Sequence, residues 1–218
     1  MKKYTALLLL QVFVLAGYSQ VYLEPFTGFQ FDMNNTSPHF KQVNTGLSCS
    51  FKSRGSYELV LQLNHSLPLA VTSSDSAFTT NLSLPLYAAA KEKINPSSTS
   101  FALVHRIAIT GKKSVNTLYA TISIGVVYQE LRVSYAYDKA NYSILNPDKT
   151  QNRSNIYGGV GLLFIHQLKK NRLFAEIAFN TPPAGPKIKY PSSFKFMAPA
   201  ALNLGYSFTI KNKRNASS

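Results

Sequence analysis

The chain has 218 residues, of which 23 are Lys or Arg and 9 are Asp or Glu, so its net charge is +14 at pH 7. This length suffices for one domain with a sizeable core, and the positive charge favours anionic partners. A single cysteine, Cys49, excludes an internal disulfide.

The first 20 residues have the pattern of a secretory signal peptide. Lys2 and Lys3 precede an apolar stretch at 6–16, and small or polar residues follow it. A membrane-spanning helix needs roughly 20 apolar residues, so a retained anchor is the weaker interpretation. We therefore expect export and a mature chain that begins near Val21.

Alternation of apolar and polar residues predicts strands along the rest of the chain. A first strand covers 21–31 and a last strand covers 202–210. Between them lie three predicted hairpins, at 42–67, 101–128 and 156–179, each with a short basic turn, at 52–56, 110–114 and 169–172 respectively. The pattern predicts eight strands.

The predicted connections between these hairpins are long: 32–38, 68–99, 130–154 and 181–196. In an up-and-down sheet, all the short turns then lie at one end and all the long loops at the other. This asymmetry is typical of outer-membrane barrels. After the signal peptide, no apolar stretch is long enough for a transmembrane helix, so a membrane location would require a closed barrel. The 82–93 segment of the second loop is consistent with a strand extension or a short helical lid.

The last strand carries the most specific motif. Asn203, Gly205, Phe208 and Ile210 match an assembly signal of the form polar-x-Gly-x-x-hydrophobic-x-hydrophobic. With this strand and its loop layout, the chain resembles small outer-membrane β-barrel proteins. It is similar in plan to the OmpA transmembrane domain and OmpX, and most similar to the short barrels of Bacteroidetes-type bacteria. It departs from the pattern at 211–218, where many members end on an aromatic residue.

The resemblance implies an all-β fold: an eight-stranded antiparallel up-and-down transmembrane β-barrel at 21–211, with short periplasmic turns, long external loops and a basic tail at 212–218. It also implies location in the bacterial outer membrane. The implied partners are outer-membrane lipid, lipopolysaccharide and the barrel assembly machinery, with an envelope protein or a glycan as a further possibility. Nucleic acid is not an expected partner.

A soluble barrel of the lipocalin type, with its apolar face turned inward around a ligand, is the alternative fold. The polar face of the predicted strands carries Glu58, Arg106 and Glu176, and polar interiors are typical of membrane barrels. These three residues are expected to form a lumen charge cluster that plugs the barrel. His65, His105 and His166 fall on the apolar face, and His105 lies near the middle of its predicted strand.

Few residues suggest catalysis. A lipid A-modifying enzyme is the alternative function, but adjacent His65 and Ser66 would point to opposite faces of a strand. Ser37 and His39 have a suitable separation and lie in or beside a loop. The sequence contains no recognisable metal-binding or cofactor-binding motif. We expect no cofactor and no catalytic residues.

The predicted external loops are the best place for function. Basic and aromatic side chains suited to glycans or lipopolysaccharide are Arg132, Tyr135, Tyr137, Lys139, Tyr142, Lys187 and Lys189. Simple solvation of these charges is the alternative interpretation. The sequence thus predicts an integral outer-membrane protein with a structural, adhesive or assembly-interaction role carried by its loops.

Overall fold

The structure, a computed structural model, describes residues 20–31, 41–53, 56–69, 71–110, 115–144, 149–181 and 200–212. The predicted signal peptide up to residue 19, the tail from 213, and Ser37, His39, Lys187 and Lys189 lie outside these ranges. The described residues form nine strands: β1 Gln20–Phe31, β2 Lys41–Lys52, β3 Tyr57–Pro68, β4 Val71–Phe78, β5 Tyr87–Ala108, β6 Asn116–Ala136, β7 Lys149–Leu168, β8 Asn171–Asn180 and β9 Ala200–Asn212.

Eight of these strands close a ring. Each pairs antiparallel with its neighbour in the order β1-β2-β3-β5-β6-β7-β8-β9, and β9 pairs back to β1. Closure satisfies the backbone hydrogen bonds of both would-be edge strands. The predicted eight-stranded antiparallel barrel is therefore confirmed. The end that carries the turns β2–β3, β5–β6 and β7–β8 is called the short-turn end below.

β4 lies outside the ring and pairs with the first part of β5, from Val71 opposite Ile94 to Phe78 opposite Tyr87. The prediction of loops at 68–99 and 130–154 was therefore wrong over most of their length. Residues 87–93 extend β5 as a strand rather than as a helix, and β6 and β7 continue to Ala136 and from Lys149. β5 has 22 residues, roughly 70 Å of strand, far more than a tilted strand needs to cross a bilayer core of about 30 Å.

The two faces of the ring differ in chemistry. Outward side chains are apolar and about half exposed, among them Leu63, Phe101, Ile124, Val160, Leu204 and Ile210. Inward side chains are largely polar and buried, among them Glu24, Asn44, Ser48, Ser50, Gln129 and Asn203. A lipocalin-type barrel has the reverse arrangement, so that alternative is wrong.

Three aromatic rings pack inside the lumen. Phe26 and Phe174 pack with Tyr119, Leu163 and Ile165 in one buried cluster. Two glycines make room for these rings, because a Cβ atom built on Gly46 would lie 2.3 Å from Phe26 Cζ, and one on Gly205 would lie 2.2 Å from Phe174 Cζ. Among the described residues, no helix is long and apolar enough to span a membrane.

Candidate functional site

Four buried charges lie together near the short-turn end of the lumen. Arg172 donates to Glu58 Oε1 and to Glu24 Oε1, each at 2.7 Å. Arg106 Nη1 donates to Glu24 Oε2 at 2.8 Å and lies 3.6 Å from Glu58 Oε2. Each arginine thus bridges the same two carboxylates. We call these four residues the ionic cluster.

Neutral side chains complete the ionic cluster. Ser50 and Tyr119 hydroxyls donate to Glu58 at 3.0 Å, and the Ser207 hydroxyl donates to Glu24 at 2.8 Å. The guanidinium of Arg172 also lies 3.5 Å from the centroid of the Tyr22 ring. Buried charges are tolerated when they are paired and hydrogen-bonded in this way.

The predicted charge cluster contained Glu58, Arg106 and Glu176. The structure brings Glu58 and Arg106 together but places Glu176 in a different contact, where its Oε2 accepts a hydrogen bond from Asn203 Nδ2 at 3.1 Å. Sequence reasoning missed Glu24 and Arg172. Arg172 was assigned to a turn, yet that turn is only Lys169 and Lys170, with Lys169 in the left-handed region at φ 48°.

A polar cavity occupies the lumen beside Glu176. It offers about 40 Å³ to the centres of water-sized molecules, which admits a few waters but no larger solute. Amide and hydroxyl side chains provide most of its polar lining: Gln30, Asn44, Gln62, Asn64, Ser100, Thr121, Ser123, Asn180 and Asn203. Among the described residues, no group of three His, Cys, Asp or Glu side chains is arranged to hold a metal ion.

Each of the three outward-facing histidines has a polar partner on a neighbouring strand. His65 Nδ1 lies 2.9 Å from Thr99 Oγ1, His166 Nδ1 lies 2.7 Å from Asn116 Oδ1, and His105 contacts the Tyr57 hydroxyl. The expectation that His105 lies near mid-strand was wrong, because β5 ends only three residues later, at Ala108. His105 therefore lies on the outward face near the short-turn end.

The outward face changes polarity part-way along the long strands. Phe101, Val126 and Ile156 are register partners on β5, β6 and β7, and each is about half exposed or more. From the next outward row onward, the three strands present only polar, charged or alanine side chains, apart from Tyr128 in that row and Tyr87 at the start of β5. We call β4 and the segments 87–99, 130–136 and 149–154 the extension sheet.

The inward side of the extension sheet is apolar instead. Leu131, Val133 and Tyr135 of β6 are buried there against Ile94, Tyr137 and Ile144. The Tyr135 hydroxyl donates to Glu92 Oε1 at 2.9 Å. This small core holds the extension sheet together beyond the ring.

The predicted loop contacts do not form one surface. Arg132 lies on the outward face of β6, where it pairs with Glu130, whereas Tyr135 is buried on the inward face. Tyr137, Lys139 and Tyr142 lie between β6 and β7, with Lys139 Nζ 5.9 Å from the Tyr137 ring centroid.

Asp138 forms local hydrogen bonds in the connection between β6 and β7. Its Oδ2 accepts a hydrogen bond from Asn141 Nδ2 at 2.7 Å, and its Oδ1 accepts one from the Ala140 amide at 3.1 Å. The side-chain bond from Asn141, followed by the Ala140 amide, lowers the pKa of the Asp138 carboxyl below its usual range. The Asp138 carboxylate thus accepts two local donors that favour its charged form.

The residues of the predicted assembly signal occupy both faces of β9. Asn203 and Gly205 point inward, and Phe208 and Ile210 point outward with exposures of 48% and 63%. Their recognition by assembly machinery stays a prediction. His65 and Ser66 lie on opposite faces of β3, with Ser66 fully buried, so they do not form a nucleophile and base pair.

Comparison with solved structures agrees with this geometry. Neisserial surface protein A is similar to this chain with a TM-score of 0.51 and 10% identity, covering 88% of this chain and 96% of that one. The chain has the fold of a small outer-membrane β-barrel. This barrel is also similar to the N-terminal domain of Pseudomonas aeruginosa OprF, with a TM-score of 0.45, 15% identity and coverage of 89% and 99%. The Ail protein of Yersinia pestis is similar with a TM-score of 0.46 and 10% identity, covering 89% of this chain and 99% of that one. No protein-family model matches the barrel, and no curated protein matches it.

Proposed function

We propose that the protein is an integral barrel of the bacterial outer membrane whose extension sheet faces the exterior and carries its interactions. The change of polarity along β5, β6 and β7 is the observation that carries this proposal. A half-exposed apolar surface ends at Phe101, Val126 and Ile156, and a polar surface continues on the same strands. Hydrocarbon favours the first surface and water or headgroups favour the second.

The lumen supports an anchoring role rather than transport. The ionic cluster fills it near the short-turn end, with Glu24, Glu58 and Arg172 fully buried. The cavity beyond the cluster admits only water-sized molecules. Side chains typically fill an eight-stranded barrel. We therefore assign the interactions of the protein with its partners to the outward surface of the extension sheet rather than to the lumen.

The outward face of the extension sheet fits the phosphates and sugars of lipopolysaccharide. Lys91, Lys93 and Arg132 are exposed there, six to ten residues along their strands beyond Phe101 and Val126, which corresponds to roughly 20–33 Å of strand. Glu130 offsets part of their charge through its pair with Arg132. Hydroxyl and amide side chains surround them on register partners: Thr72, Ser74, Asn95, Ser134, Thr150 and Asn152. Ammonium and guanidinium groups form charge-assisted hydrogen bonds with phosphate, and hydroxyl and amide side chains donate to and accept from the hydroxyl groups of sugars.

The location is tested by cell fractionation and by electrophoresis with and without boiling. We expect the protein in the outer-membrane fraction, and we expect the unboiled folded barrel to migrate differently from the boiled chain. A periplasmic or secreted protein whose migration does not depend on heat would overturn the proposal.

The partner is tested with the purified barrel in detergent and with lipopolysaccharide whose core sugars carry or lack phosphate groups. The Lys91→Ala/Lys93→Ala variant should bind the phosphorylated form about tenfold more weakly, as expected for the loss of about 1.4 kcal/mol. Lys169→Ala/Lys170→Ala removes the same charge from an exposed turn at the opposite end and is the matched control. Equal affinities for all three proteins would exclude the extension sheet as the binding surface.

A further inference from the structure

Glu176 is a buried carboxylate with an incomplete set of partners. Its side chain lies on the lumen face of β8 with 7% exposure, and its Oε2 accepts from Asn203. No cationic side chain of the described residues forms an ion pair with it within 4 Å. Glutamate is almost never buried without a compensating charge. From this carboxylate and the oxygen atoms around it, we infer that the adjoining cavity binds a small monovalent cation.

The cationic side chains of the ionic cluster form their ion pairs with Glu24 and Glu58 rather than with Glu176. The described residues include three buried glutamates and two buried arginines. Arg106 and Arg172 donate to Glu24 and Glu58, although the charge of Glu176 also acts on Arg106. Lys52, whose side chain is 29% exposed, lies 3.6 Å from Glu58 and adds its charge to the same cluster. Among the described residues, Glu176 is therefore left without an ion pair within 4 Å.

Arg153 is too distant to neutralise Glu176. It lies on β7, whereas the register partner of Glu176 on that strand is Leu163. The ten-residue separation of Arg153 and Leu163 corresponds to roughly 33 Å along the strand. A mobile cation in the cavity can approach the carboxylate where this arginine cannot.

A chain of amides fixes which atoms face the cavity. Because the Glu176 carboxylate can only accept, Asn203 must present its Nδ2 to it, at 3.1 Å. Asn203 Oδ1 then accepts from Asn44 Nδ2 at 2.6 Å. The remaining oxygen, Asn44 Oδ1, belongs to a side chain with 1% exposure and accepts no hydrogen bond from the described residues. The charge of Glu176 thus orients a second oxygen ligand.

Asn64 supplies a third oxygen. Its Oδ1 is also buried without a hydrogen-bond donor among the described residues, and Asn44, Asn64 and Glu176 all line the same cavity. Thr121 and Ser123 add hydroxyl groups to the lining. A space of about 40 Å³ accepts a partly hydrated ion but excludes a bulky quaternary ammonium.

The charge of the site selects a monovalent ion. Calcium sites typically combine several carboxylates with neutral oxygens, and their affinity follows the number of charged ligands. Here a single carboxylate lies among neutral amide and hydroxyl oxygens. Na⁺ or K⁺ would pair with the Glu176 carboxylate and leave the site without a net charge of its own.

The test is the melting temperature of the purified full barrel in a zwitterionic detergent. It is measured in NaCl, KCl and choline chloride at equal concentration. Because binding to the folded state alone raises stability, we expect a melting temperature higher by about 3 °C in NaCl or KCl than in choline chloride. Broadening of the ²³Na resonance by the wild-type barrel, relieved by K⁺, should accompany this shift. Equal melting temperatures in the three salts, or no broadening, would overturn the inference.

Variants assign the effect to the cavity. Glu176→Gln keeps an acceptor for Asn203 and should abolish both the salt difference and the ²³Na broadening. Glu130→Gln removes one carboxylate from the outward surface and should retain both effects. Asn64→Asp adds a second carboxylate and should shift the response from Na⁺ to Ca²⁺. A salt difference that persists in Glu176→Gln would place the cation elsewhere and refute the proposed site.

Discussion

Arg172 and Glu58 lie 114 residues apart in the chain and form a buried ion pair of 2.7 Å inside the barrel. Each begins a strand, Arg172 in β8 and Glu58 in β3, close to a short turn. Because Arg172 also binds Glu24 of β1, one guanidinium connects three strands across the lumen. The pair therefore fixes strands that are not neighbours in the ring.

Loss of one carboxylate from the ionic cluster should be costly. Glu58→Gln leaves Arg172 and Arg106 with one negative partner between them, and an uncompensated buried charge typically costs about 3–5 kcal/mol. We expect this loss in the free energy of unfolding of the detergent-folded barrel, measured by urea titration. Glu130→Gln removes a carboxylate whose partner, Arg132, is 70% exposed, and its effect should stay below about 1 kcal/mol. Similar effects of the two substitutions would contradict the structural role of the cluster.

Gly205 can be tested as a packing residue and as part of the assembly signal. A Cβ atom at this position would meet Phe174 Cζ at 2.2 Å and the Pro25 carbonyl oxygen at 2.7 Å. Gly205→Ala should therefore lower the stability of the refolded barrel by about 1–3 kcal/mol. At Gly158 the nearest atoms are 3.7 Å away, so Gly158→Ala is the matched control and should be nearly neutral.

Expression of Gly205→Ala in cells separates packing from recognition. If the machinery reads Gly205 directly, Gly205→Ala should reach the membrane less well than another core variant of equal measured stability, such as Phe174→Leu. Equal membrane levels at equal stability would leave packing as the whole role of Gly205.

Period-two alternation predicted the ring because one face of each strand is uniformly apolar. The prediction failed beyond Tyr128, because the apolar residues change there from the outward to the inward face of β6. Apolar residues face outward up to that point, whereas Leu131 and Val133 face inward beyond it. The phase change resembles the end of a strand, but β6 continues to Ala136 through it. Two consecutive polar residues, Gln129 and Glu130, after which alternation resumes with the apolar residues on the opposite face, are the signal that would have revealed the extension sheet.

The ionic cluster was harder to predict because its members do not share a simple pattern. On β1, Glu24 lies on the lumen face between Tyr22 and Phe26, so hydrophobicity does not alternate there. Pairing across the lumen depends on the ring order and on strand register, which a single sequence does not specify. The amide chain from Asn44 to Glu176 depends on the same closure, since it joins β2, β9 and β8.

The half-exposed apolar surface that ends at Phe101, Val126 and Ile156, called the apolar belt, predicts different effects for charges placed on either side of Tyr128. Ile124 is 59% exposed within the belt, and a lysine there should destabilise the barrel in lipid vesicles by about 2–4 kcal/mol if the site lies near the bilayer midplane. Ser134→Lys places the same charge on the extension sheet and should be nearly neutral. Unfolding by urea in vesicles measures both. A tolerated Ile124→Lys would argue that water, not lipid, covers this face.

The direction of the barrel across the membrane can be read from cysteine labelling. In a Cys49→Ser background, Ser134→Cys and Lys170→Cys place single exposed thiols on the extension sheet and on a short turn. If the extension sheet faces the exterior, a membrane-impermeant maleimide added to intact cells should label Ser134→Cys and leave Lys170→Cys unlabelled until the cells are lysed. In the wild-type barrel, Cys49, whose register partners are Leu23 and Leu61 on the outward face, should stay shielded in intact and lysed cells and react after unfolding. Labelling of Lys170→Cys but not Ser134→Cys in intact cells would invert the proposed orientation, and with it the assignment of the extension sheet as the interaction surface.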